Sequence, residues 1–445
     1  MASMAFMCRL SPHRWSSTLV GEVLVDLPFP VAVGRAPEWP TQRFVDEALA
    51  DPAWEPMPFT EYIVKIESRC NLSCDYCYVY EMADQSWRDK PTVMTRPTMD
   101  RFADRLGEHL AAHAESVPAV RIVMHGGEPL LAGAERIGYA AAAFRAAAPE
   151  GTEVTLAMQT NGVLLDEATL PVLREHDIRL GVSLDGSRAS HDKHRKYANG
   201  KGSFDAVLRG MDALRHPRYA DLFQSVLCTI DVTSDPIEVY EALLSTGSPT
   251  LHFLLPHANW SERPPGWAGE EGGTPFADWL IPLFDRWYGT TPVPVRIRLF
   301  DEIIALLLGG ESRTEGLGLT PIRVLTVDTD GALDLAHTLK SSYAGAMATG
   351  MNVFRDSFDQ AMTLPGIVAR QRDPIGLCDT CRRCPVVKVC GAGNYTHRYR
   401  RGSGYLNPSV YCADLARLIA HVGERVLLDV REAAGAQGPS SPELP

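Results

Sequence analysis

Short apolar runs recur through the first part of the chain, and stretches with helical spacing of apolar residues separate them. Helical spacing is clearest at Met99, Phe102, Leu106 and Leu110. The runs predict six strands: Tyr62–Ile66, Val120–Met124, Val154–Gln159, Leu180–Leu184, Ser225–Ile230 and Leu251–Leu255. Strands that alternate with helices, such as Ala168–Glu175 and Phe204–Arg215, indicate an α/β fold with a parallel sheet. Six such units predict a partial (β/α)6 TIM-like barrel, whose site lies at the carboxyl ends of the strands.

The same pattern divides the chain into five parts. We predict an N-terminal extension (1–57), a barrel (58–256), a linker with bridging helices (257–320), a cysteine-rich domain (321–425), and a helix end with a disordered tail (426–445). The bridging helices are Phe276–Tyr288 and Leu299–Leu308. The Pro- and Gly-rich segment Pro256–Pro275 is interpreted as a linker or a lid.

Composition and charge exclude several classes of function. The net charge of −12 argues against a large nucleic-acid surface. No run of 18 apolar residues predicts a membrane span, and Glu22 and Asp26 interrupt the only apolar stretch near the N-terminus that could resemble an export signal. We therefore expect a cytoplasmic protein with neither a membrane nor a nucleic-acid partner. The basic run His397–Arg401 is either a solvated loop or a docking point for an acidic peptide segment.

The ten cysteines are not scattered evenly. Eight of them fall into two groups, Cys70–Cys77 and Cys378–Cys412. Cys8 and Cys228 stand alone, and we interpret both as structural. Because a cytoplasmic compartment keeps thiols reduced, close spacing of cysteines indicates metal binding rather than disulfides.

The first group has the spacing Cys-x3-Cys-x2-Cys, at Cys70, Cys74 and Cys77. Three thiolates on one [4Fe-4S] cluster would leave the fourth iron open for a small molecule. The alternative is zinc, which favours paired Cys-x2-Cys units and a closed tetrahedron. The segment resembles the signature loop of the radical S-adenosylmethionine (SAM) superfamily. The resemblance implies that SAM binds the open iron, and that Tyr76 lies near the adenine.

A glycine-rich segment, HGGEP, follows the second predicted strand. Gly126 and Gly127 let the backbone approach a ligand without a Cβ in the way, and Glu128 could accept a hydrogen bond from an ammonium group. Placed after the cysteine loop, the segment resembles the GGE motif of the same superfamily, which holds the amino group of SAM.

Polar side chains also follow the third and fourth predicted strands. The segments QTNG and SLDG resemble those of peptide-modifying radical SAM enzymes, and this implies contacts with the ribose and carboxylate of SAM. The candidates are Gln159, Asn161, Ser183 and Asp185, with Arg195 as a candidate for the SAM carboxylate. Each of these side chains alone is equally compatible with an ordinary turn at a strand end.

The second group has the spacing Cys381-x2-Cys384-x5-Cys390, with Cys412 further along. It resembles the SPASM extension, which implies that these four cysteines bind an auxiliary [4Fe-4S] cluster. Asn394 stands where that family has another cysteine, and Asp328–His337 contains none, so we expect no second auxiliary cluster. Cys378 is a neighbour or a substitute ligand, and a zinc ribbon is the alternative for the whole group.

From about Phe59 to Leu418 the chain resembles FxsB-type enzymes, in the segments Tyr80–Trp87, His125–Gly133 and Cys384–Leu415. The resemblance implies a C–C crosslink between an aromatic ring carbon and the β-carbon of a nearby residue in a ribosomally made precursor peptide. It also implies an electron donor such as flavodoxin or ferredoxin. Thioether crosslinking and sulfatase-type formylglycine maturation are the alternatives. Asp328 and Asp330 are either a base near the substrate or turn-forming aspartates.

Two other classes of protein would share some of the cysteine and strand-end motifs. A tRNA-modifying radical SAM enzyme would share the first cysteine motif but would need a basic surface, which a chain of net charge −12 does not predict. A non-catalytic iron–sulfur scaffold or sensor would not need the polar segments at successive strand ends.

Overall fold

The computed structural model describes residues 40–267, 273–372 and 374–435. The predicted disordered tail beyond residue 435, Cys8 and most of the N-terminal extension lie outside the described residues. None of the described helices is both long and apolar enough to cross a bilayer.

Ten strands form a single sheet in the order β10-β9-β8-β1-β2-β3-β4-β5-β6-β7. The strands are β1 Glu61–Glu67, β2 Ala119–Gly126, β3 Glu153–Thr160, β4 Arg179–Ser183, β5 Phe223–Thr229, β6 Thr250–Leu254, β7 Arg296–Ile297, β8 Val324–Val327, β9 Ala332–Asp334 and β10 Ala348–Asn352. The first six are those that the apolar runs predict, and they pair in parallel in chain order. The predicted α/β fold is therefore confirmed.

Helices alternate with these strands and continue beyond them. They are α1 Gln42–Leu49, α2 Arg96–Ala112, α3 Ala134–Ala146, α4 Leu170–Glu175, α5 Arg188–His194, α6 Phe204–Leu214, α7 Pro236–Leu244, α8 Pro275–Tyr288, α9 Arg298–Leu307, α10 Phe358–Ala361, α11 Pro365–Gln371, α12 Asp379–Arg382, α13 Val387–Cys390 and α14 Cys412–Gly435. The predicted helices at 168–175, 204–215, 276–288 and 299–308 correspond to α4, α6, α8 and α9.

The sheet extends further than the six predicted strands. β8 pairs in parallel with β1 on the side away from β2, and β9 and β10 follow it as antiparallel neighbours. These three strands, which we call the sheet extension, belong to the part of the chain that we predict as the cysteine-rich domain. Their hydrogen bonds make them a continuation of the barrel sheet, while the predicted domain boundaries stay predictions.

Alternation of side chains gives the sheet two different faces. Tyr62, Val64 and Ile66 of β1 join the large apolar core under the helices. The residues between them face the other way, where Ile63 packs with Val123 in a small separate cluster. Since side chains alternate along a strand, Lys65 follows Ile63 on this inner face, one step nearer the carboxyl end.

The described end of the N-terminal extension has a packing role. Phe44, Val45 and Ala48 of α1 pack against Val368 and Ala369 of α11. The amphipathic helix begins at Thr41, whose hydroxyl accepts a hydrogen bond from the amide of Phe44. This part of the extension therefore covers the outside of the C-terminal region.

A buried ion pair joins the loop after the first cysteines to the sheet extension. The Lys340 ammonium lies 2.7 Å from a carboxylate oxygen of Asp84, and each side chain is only 1% exposed. The other oxygen of Asp84 accepts a hydrogen bond from the amide of Gly345. Removing one partner of such a pair leaves an uncompensated buried charge.

We therefore predict that Asp84→Asn lowers the free energy of unfolding by about 3–5 kcal/mol, because Lys340 stays buried beside a neutral amide. Glu135→Gln is the matched control, since Glu135 pairs with Arg96 at an exposed position. This control substitution should change the free energy of unfolding by less than about 1 kcal/mol. Denaturant unfolding followed by tryptophan fluorescence measures both, and equal effects would contradict the prediction.

Candidate active site

The first three cysteines lie together in the loop that follows β1. The amide of Cys77 donates to the carbonyl of Cys74, and the amide of Leu72 approaches the Cys70 sulfur at 3.4 Å. Burial, with a contribution from the charges of Glu128, Cys74 and Cys77, raises the pKa of Cys70 to about 12. Burial likewise raises the pKa of Cys74 to about 11, although the charge of Arg195 opposes this rise. The loop thus gathers three thiols that burial keeps protonated in the absence of a metal.

The HGGEP segment at the end of β2 packs directly against this loop. A Cβ on Gly126 would lie 1.8 Å from the carbonyl oxygen of Glu67. A Cβ on Gly127 would lie 1.9 Å from the Tyr80 hydroxyl and 2.3 Å from the carbonyl oxygen of Arg69. The sequence correctly indicates a close backbone approach here, but the approach that the structure shows is to the cysteine loop itself.

Glu128 is fully buried and joins the ends of two strands. Its carboxylate accepts hydrogen bonds from the amide of Leu130 at 3.0 Å, the hydroxyl of Thr160 at 2.7 Å and the amide of Asn161 at 2.7 Å. Burial raises the pKa of Glu128 to about 7. The Asn161 side chain in turn donates to Asn71 in the cysteine loop. Glu128 and Asn161 therefore hold the loop, while their predicted contacts with SAM stay predictions.

Three of the other predicted SAM-binding residues form one network around Asp185. The carboxylate accepts hydrogen bonds from the Tyr76 hydroxyl, from Arg195 Nε at 3.0 Å and from the amide of Thr229 at 3.0 Å. The Arg195 guanidinium also lies 5.5 Å from the centre of the Tyr76 ring. Asp185, which is 4% exposed, thus fixes both the aromatic ring and the cation beside the cysteine loop.

Polar residues line the inner face of the sheet at this edge. Lys65 lies opposite His125 in the register of β1 and β2. On the next strands, the Gln159 amide donates to the Ser183 hydroxyl at 3.0 Å. Because parallel strands bring their carboxyl ends to one edge, all the predicted strand-end residues converge there.

The four cysteines predicted as auxiliary ligands line a single pocket. These are Cys381, Cys384, Cys390 and Cys412, and the remaining wall is mostly apolar. Cys378 does not line the pocket, but it lies next to Cys381, and a hydrogen bond between the two thiols lowers the pKa of Cys378 to about 7. The structure therefore brings Cys412 together with the distant segment Cys381–Cys390. Cys378 lies beside these four cysteines.

The basic run His397–Arg401 is buried at its start and exposed only at its end. Its first two residues are 4% and 8% exposed. The Arg398 guanidinium donates to the carbonyls of Gly391, Ala392 and Gly393, at 2.7, 3.1 and 2.9 Å. Both interpretations drawn from the sequence are wrong for Arg398, because its charge stabilises the loop after Cys390 instead of facing solvent or a peptide.

Single histidines that the sequence analysis did not select lie between the two cysteine sites. The Tyr78 ring contacts His257 and His337, at 4.6 and 5.5 Å between ring centres. His337 continues to His125 at 5.0 Å, and His257 to His397 at 6.1 Å. Burial lowers the pKa of His125 and of His257 to about 4, so these imidazoles are neutral at pH 7. No spacing pattern links the four histidines in the sequence, although His125 belongs to the HGGEP motif and His397 to the basic run.

The two aspartates proposed as a base are held in ion pairs. Asp328 lies 2.9 Å from the Lys65 ammonium in a pair that is almost fully buried, and Asp330 lies 2.8 Å from Lys90. Although burial opposes its ionisation, Lys65 lowers the pKa of Asp328. By contrast, burial raises the pKa of the neighbouring Asp334 to about 7. Asp334 can therefore exchange a proton near neutral pH.

The described part of the predicted linker or lid is attached to the C-terminal region. The Asn259 side chain donates to the carbonyl of Ser341 at 2.9 Å, and the Trp260 indole donates to the carbonyl of Pro408 at 2.7 Å. The segment that leaves β6 thus crosses from the barrel edge to the second cysteine region.

Comparison with known proteins agrees with this geometry. Residues 64–217, which contain the cysteine loop and the HGGEP, QTNG and SLDG segments, match the Radical SAM superfamily. The matched residues run from β1 through α6. A Serine-type anaerobic sulfatase-maturating enzyme of Klebsiella aerogenes is 33% identical to the chain over 205 residues. The match covers 46% of this chain and 48% of that enzyme, so the chain spans about half the length of the first curated relatives that it matches.

Two solved structures share the fold over more of the chain. Native anSMEcpe with bound AdoMet has a TM-score of 0.68 at 22% identity and covers 83% of this chain and 99% of that one. Streptococcus suis SuiB bound to its precursor peptide SuiA has a TM-score of 0.52 at 13% identity, covering 83% and 79%. The parallel sheet and its continuation into the C-terminal region therefore form a fold that these solved structures share.

We predict that Gly127→Ala empties the first cysteine site, because the new Cβ would collide with the backbone of the cysteine loop. With both cysteine sets loaded with [4Fe-4S] clusters the chain would carry about eight irons, and the variant should fall toward about four. Gly316→Ala is the control, since its Cβ would meet no atom closer than 3.9 Å. Equal iron contents in the two variants would contradict the role of Gly127.

The second cysteine site should depend on Arg398. Arg398→Met removes the donors to three carbonyls of the loop after Cys390, so we expect this variant to lose the iron of the second site and keep that of the first. Arg401→Met, at an exposed position of the same basic run, is the matched control. Iron per chain and the visible spectrum measure the effect. Retention of the full iron content by Arg398→Met would overturn the assignment.

Proposed function

We propose that this chain is a radical SAM enzyme that crosslinks a ribosomally made precursor peptide by forming C–C bonds. The observation that carries the proposal is the convergence of two separate cysteine sites on a row of half-buried aromatic and imidazole rings at one edge of the sheet. A substrate bound against that row would lie between the two sites. A non-catalytic iron–sulfur scaffold would not need a substrate-binding surface between its two clusters.

The first cysteine site fits a [4Fe-4S] cluster with SAM on its open iron. Cys70, Cys74 and Cys77 are neighbouring buried thiols with raised pKa values, and bound iron supplies the positive charge that stabilises thiolates. Bound there, the cluster and SAM supply reductive cleavage of SAM and removal of a hydrogen atom from a substrate C–H bond. An electron donor such as flavodoxin or ferredoxin is the partner that this chemistry requires.

The second site fits one auxiliary [4Fe-4S] cluster, held by Cys381, Cys384, Cys390 and Cys412. The donor set is four thiols around one apolar pocket, which matches the four thiolates that such a cluster takes. Asn394 supports the absence of a further cluster, because its side chain accepts a hydrogen bond from the amide of Thr396 and begins a short helical turn.

The chain's own residues would orient SAM and the peptide. Asp185 fixes Tyr76 and Arg195, so the ring and the guanidinium are positioned for the adenine and the carboxylate of SAM. His257 and His397 have buried ring nitrogens without a hydrogen-bond partner among the described residues, and polar groups of a peptide would satisfy them. Asp334 is our candidate for holding the proton that the peptide loses, in place of Asp328 and Asp330, and the electron released with that proton would pass to the auxiliary cluster.

Support for a peptide substrate also comes from SuiB, which shares the fold and binds a precursor peptide. The crosslink itself is proposed from the FxsB-type segments and from the single auxiliary site. Sulfatase-type maturation is the second candidate, because a sulfatase-maturating enzyme is 33% identical to the radical SAM core. The two candidates differ in the product, which carries a new C–C bond in one case and an aldehyde in the other.

The test is anaerobic incubation of the reconstituted protein with reductant, SAM and a short precursor peptide encoded next to it. We expect 5′-deoxyadenosine, and a peptide that loses two hydrogens per crosslink and resists fragmentation between the linked residues. Cys74→Ala should abolish both products. Cys228→Ala is the matched control, because Cys228 lies outside both cysteine sets.

Three results would decide against parts of the proposal. Absence of 5′-deoxyadenosine from cluster-loaded protein would exclude the radical SAM activity. A product that reacts with a hydrazine would indicate an aldehyde and favour sulfatase-type maturation. A peptide whose mass change is not a multiple of two hydrogens would exclude simple crosslinking.

A further inference from the structure

Three metal-ligating side chains meet on the helix side of the sheet, away from both cysteine sites. His109 and His113 are one helical turn apart at the end of α2, and Asp359 belongs to α10. Their ligand atoms all lie within 4.8 Å of one another. None of the sequence motifs or proposed activities uses these residues.

Both imidazoles are directed at the same carboxylate oxygen. His113 Nε2 lies 3.2 Å from Asp359 Oδ1, and His109 Nδ1 contacts that same oxygen. Residues four apart on a helix present their side chains on one face, which explains how α2 supplies two donors to one point. Within the part of the chain that the structure describes, no Lys or Arg forms an ion pair with Asp359.

The surrounding packing holds the donors in place. The His109 ring is 2% exposed and packs against Phe59 and Phe358, at 5.8 and 6.2 Å between ring centres. On the other side, Ser357 and Gln360 form a capping box that fixes the first turn of α10, where Asp359 lies. The donor set is therefore preorganised by residues that belong to two different parts of the fold.

We propose that His109, His113 and Asp359 bind a divalent cation of the zinc class. Zinc takes nitrogen and carboxylate ligands at about 2.0–2.1 Å, and the corners of a tetrahedron of that size lie about 3.3 Å apart. The 3.2 Å between His113 Nε2 and Asp359 Oδ1 is close to that spacing. His109 Nδ1 hydrogen-bonds the same oxygen directly, so these two atoms must separate when the cation enters. Two imidazoles with one carboxylate favour zinc over magnesium or calcium, which prefer oxygen ligands. Water completes the coordination on the exposed side.

The bound cation would connect the sheet extension to the radical SAM core. α10 follows β10, the outermost strand of the extension, whereas α2 connects β1 to β2. A metal shared by α2 and α10 therefore clamps the added strands onto the central part of the sheet. This role is structural, and it does not depend on the proposed function.

The experiment uses cluster-loaded, full-length protein equilibrated with zinc and then desalted. We expect about one zinc per chain, and zinc should raise the thermal unfolding temperature. His113→Ala and Asp359→Asn should each weaken zinc binding at least tenfold and remove the thermal shift, while their iron content stays unchanged. His216→Ala, an exposed histidine elsewhere, is the matched control and should behave like the unaltered protein.

X-ray absorption at the zinc edge distinguishes this site from zinc in a cysteine site. Nitrogen and oxygen ligands at about 2.0–2.1 Å support the proposal, whereas sulfur at about 2.3 Å would assign the metal to cysteines and overturn it. The proposal is also overturned if the protein retains no zinc, or if both variants retain it. Asp359 would then serve only as a hydrogen-bond acceptor for the two histidines.

Discussion

The position of β1 in the middle of the sheet is the constraint on which the rest of the site depends. β1 pairs in parallel with β2 on one side and with β8 on the other. The cysteine loop follows the carboxyl end of β1. It therefore lies between the loop after β2 on one side and the loops of the sheet extension on the other. HGGEP closes against the loop from the side of β2, and Lys340 reaches Asp84 from the side of the sheet extension. A strand at the edge of the sheet could not receive contacts from both directions.

The sequence predicted most of the core because its signals are local. Six strands are long enough for their apolar residues to stand out, and the chemistry-bearing segments follow them directly. Strands β7, β8 and β9 were missed because they have only two, four and three residues, too few to show a period. β10 has five residues, but its sequence, ATGMN, contains no apolar run. Their pairing comes from long-range hydrogen bonds, which no window of sequence contains.

Site residues could be predicted from the sequence where they recur at a characteristic spacing, as the cysteines do. They could not be predicted where they come from unrelated segments. The cysteine sets were identified by their intervals, and the structure brings each set together. His257, His337 and His397 come from three separate segments, and only the fold makes them neighbours. Arg398 was misread because a basic run looks the same whether its charge faces solvent or three buried carbonyls. Glu128 is an intermediate case, since its motif was found but its hydrogen bonds to two strand ends were not.

The last helix has a consequence for the geometry between the two cysteine sites. Cys412 is the first residue of α14, and the side chains of Asp414, His421 and Asp429 bind α14 along the length of α8. One cysteine of the second site thus stands at the end of a packed pair of helices. A displacement of α14 along α8 would therefore move Cys412 away from Cys381, Cys384 and Cys390 and open the pocket that the four cysteines share.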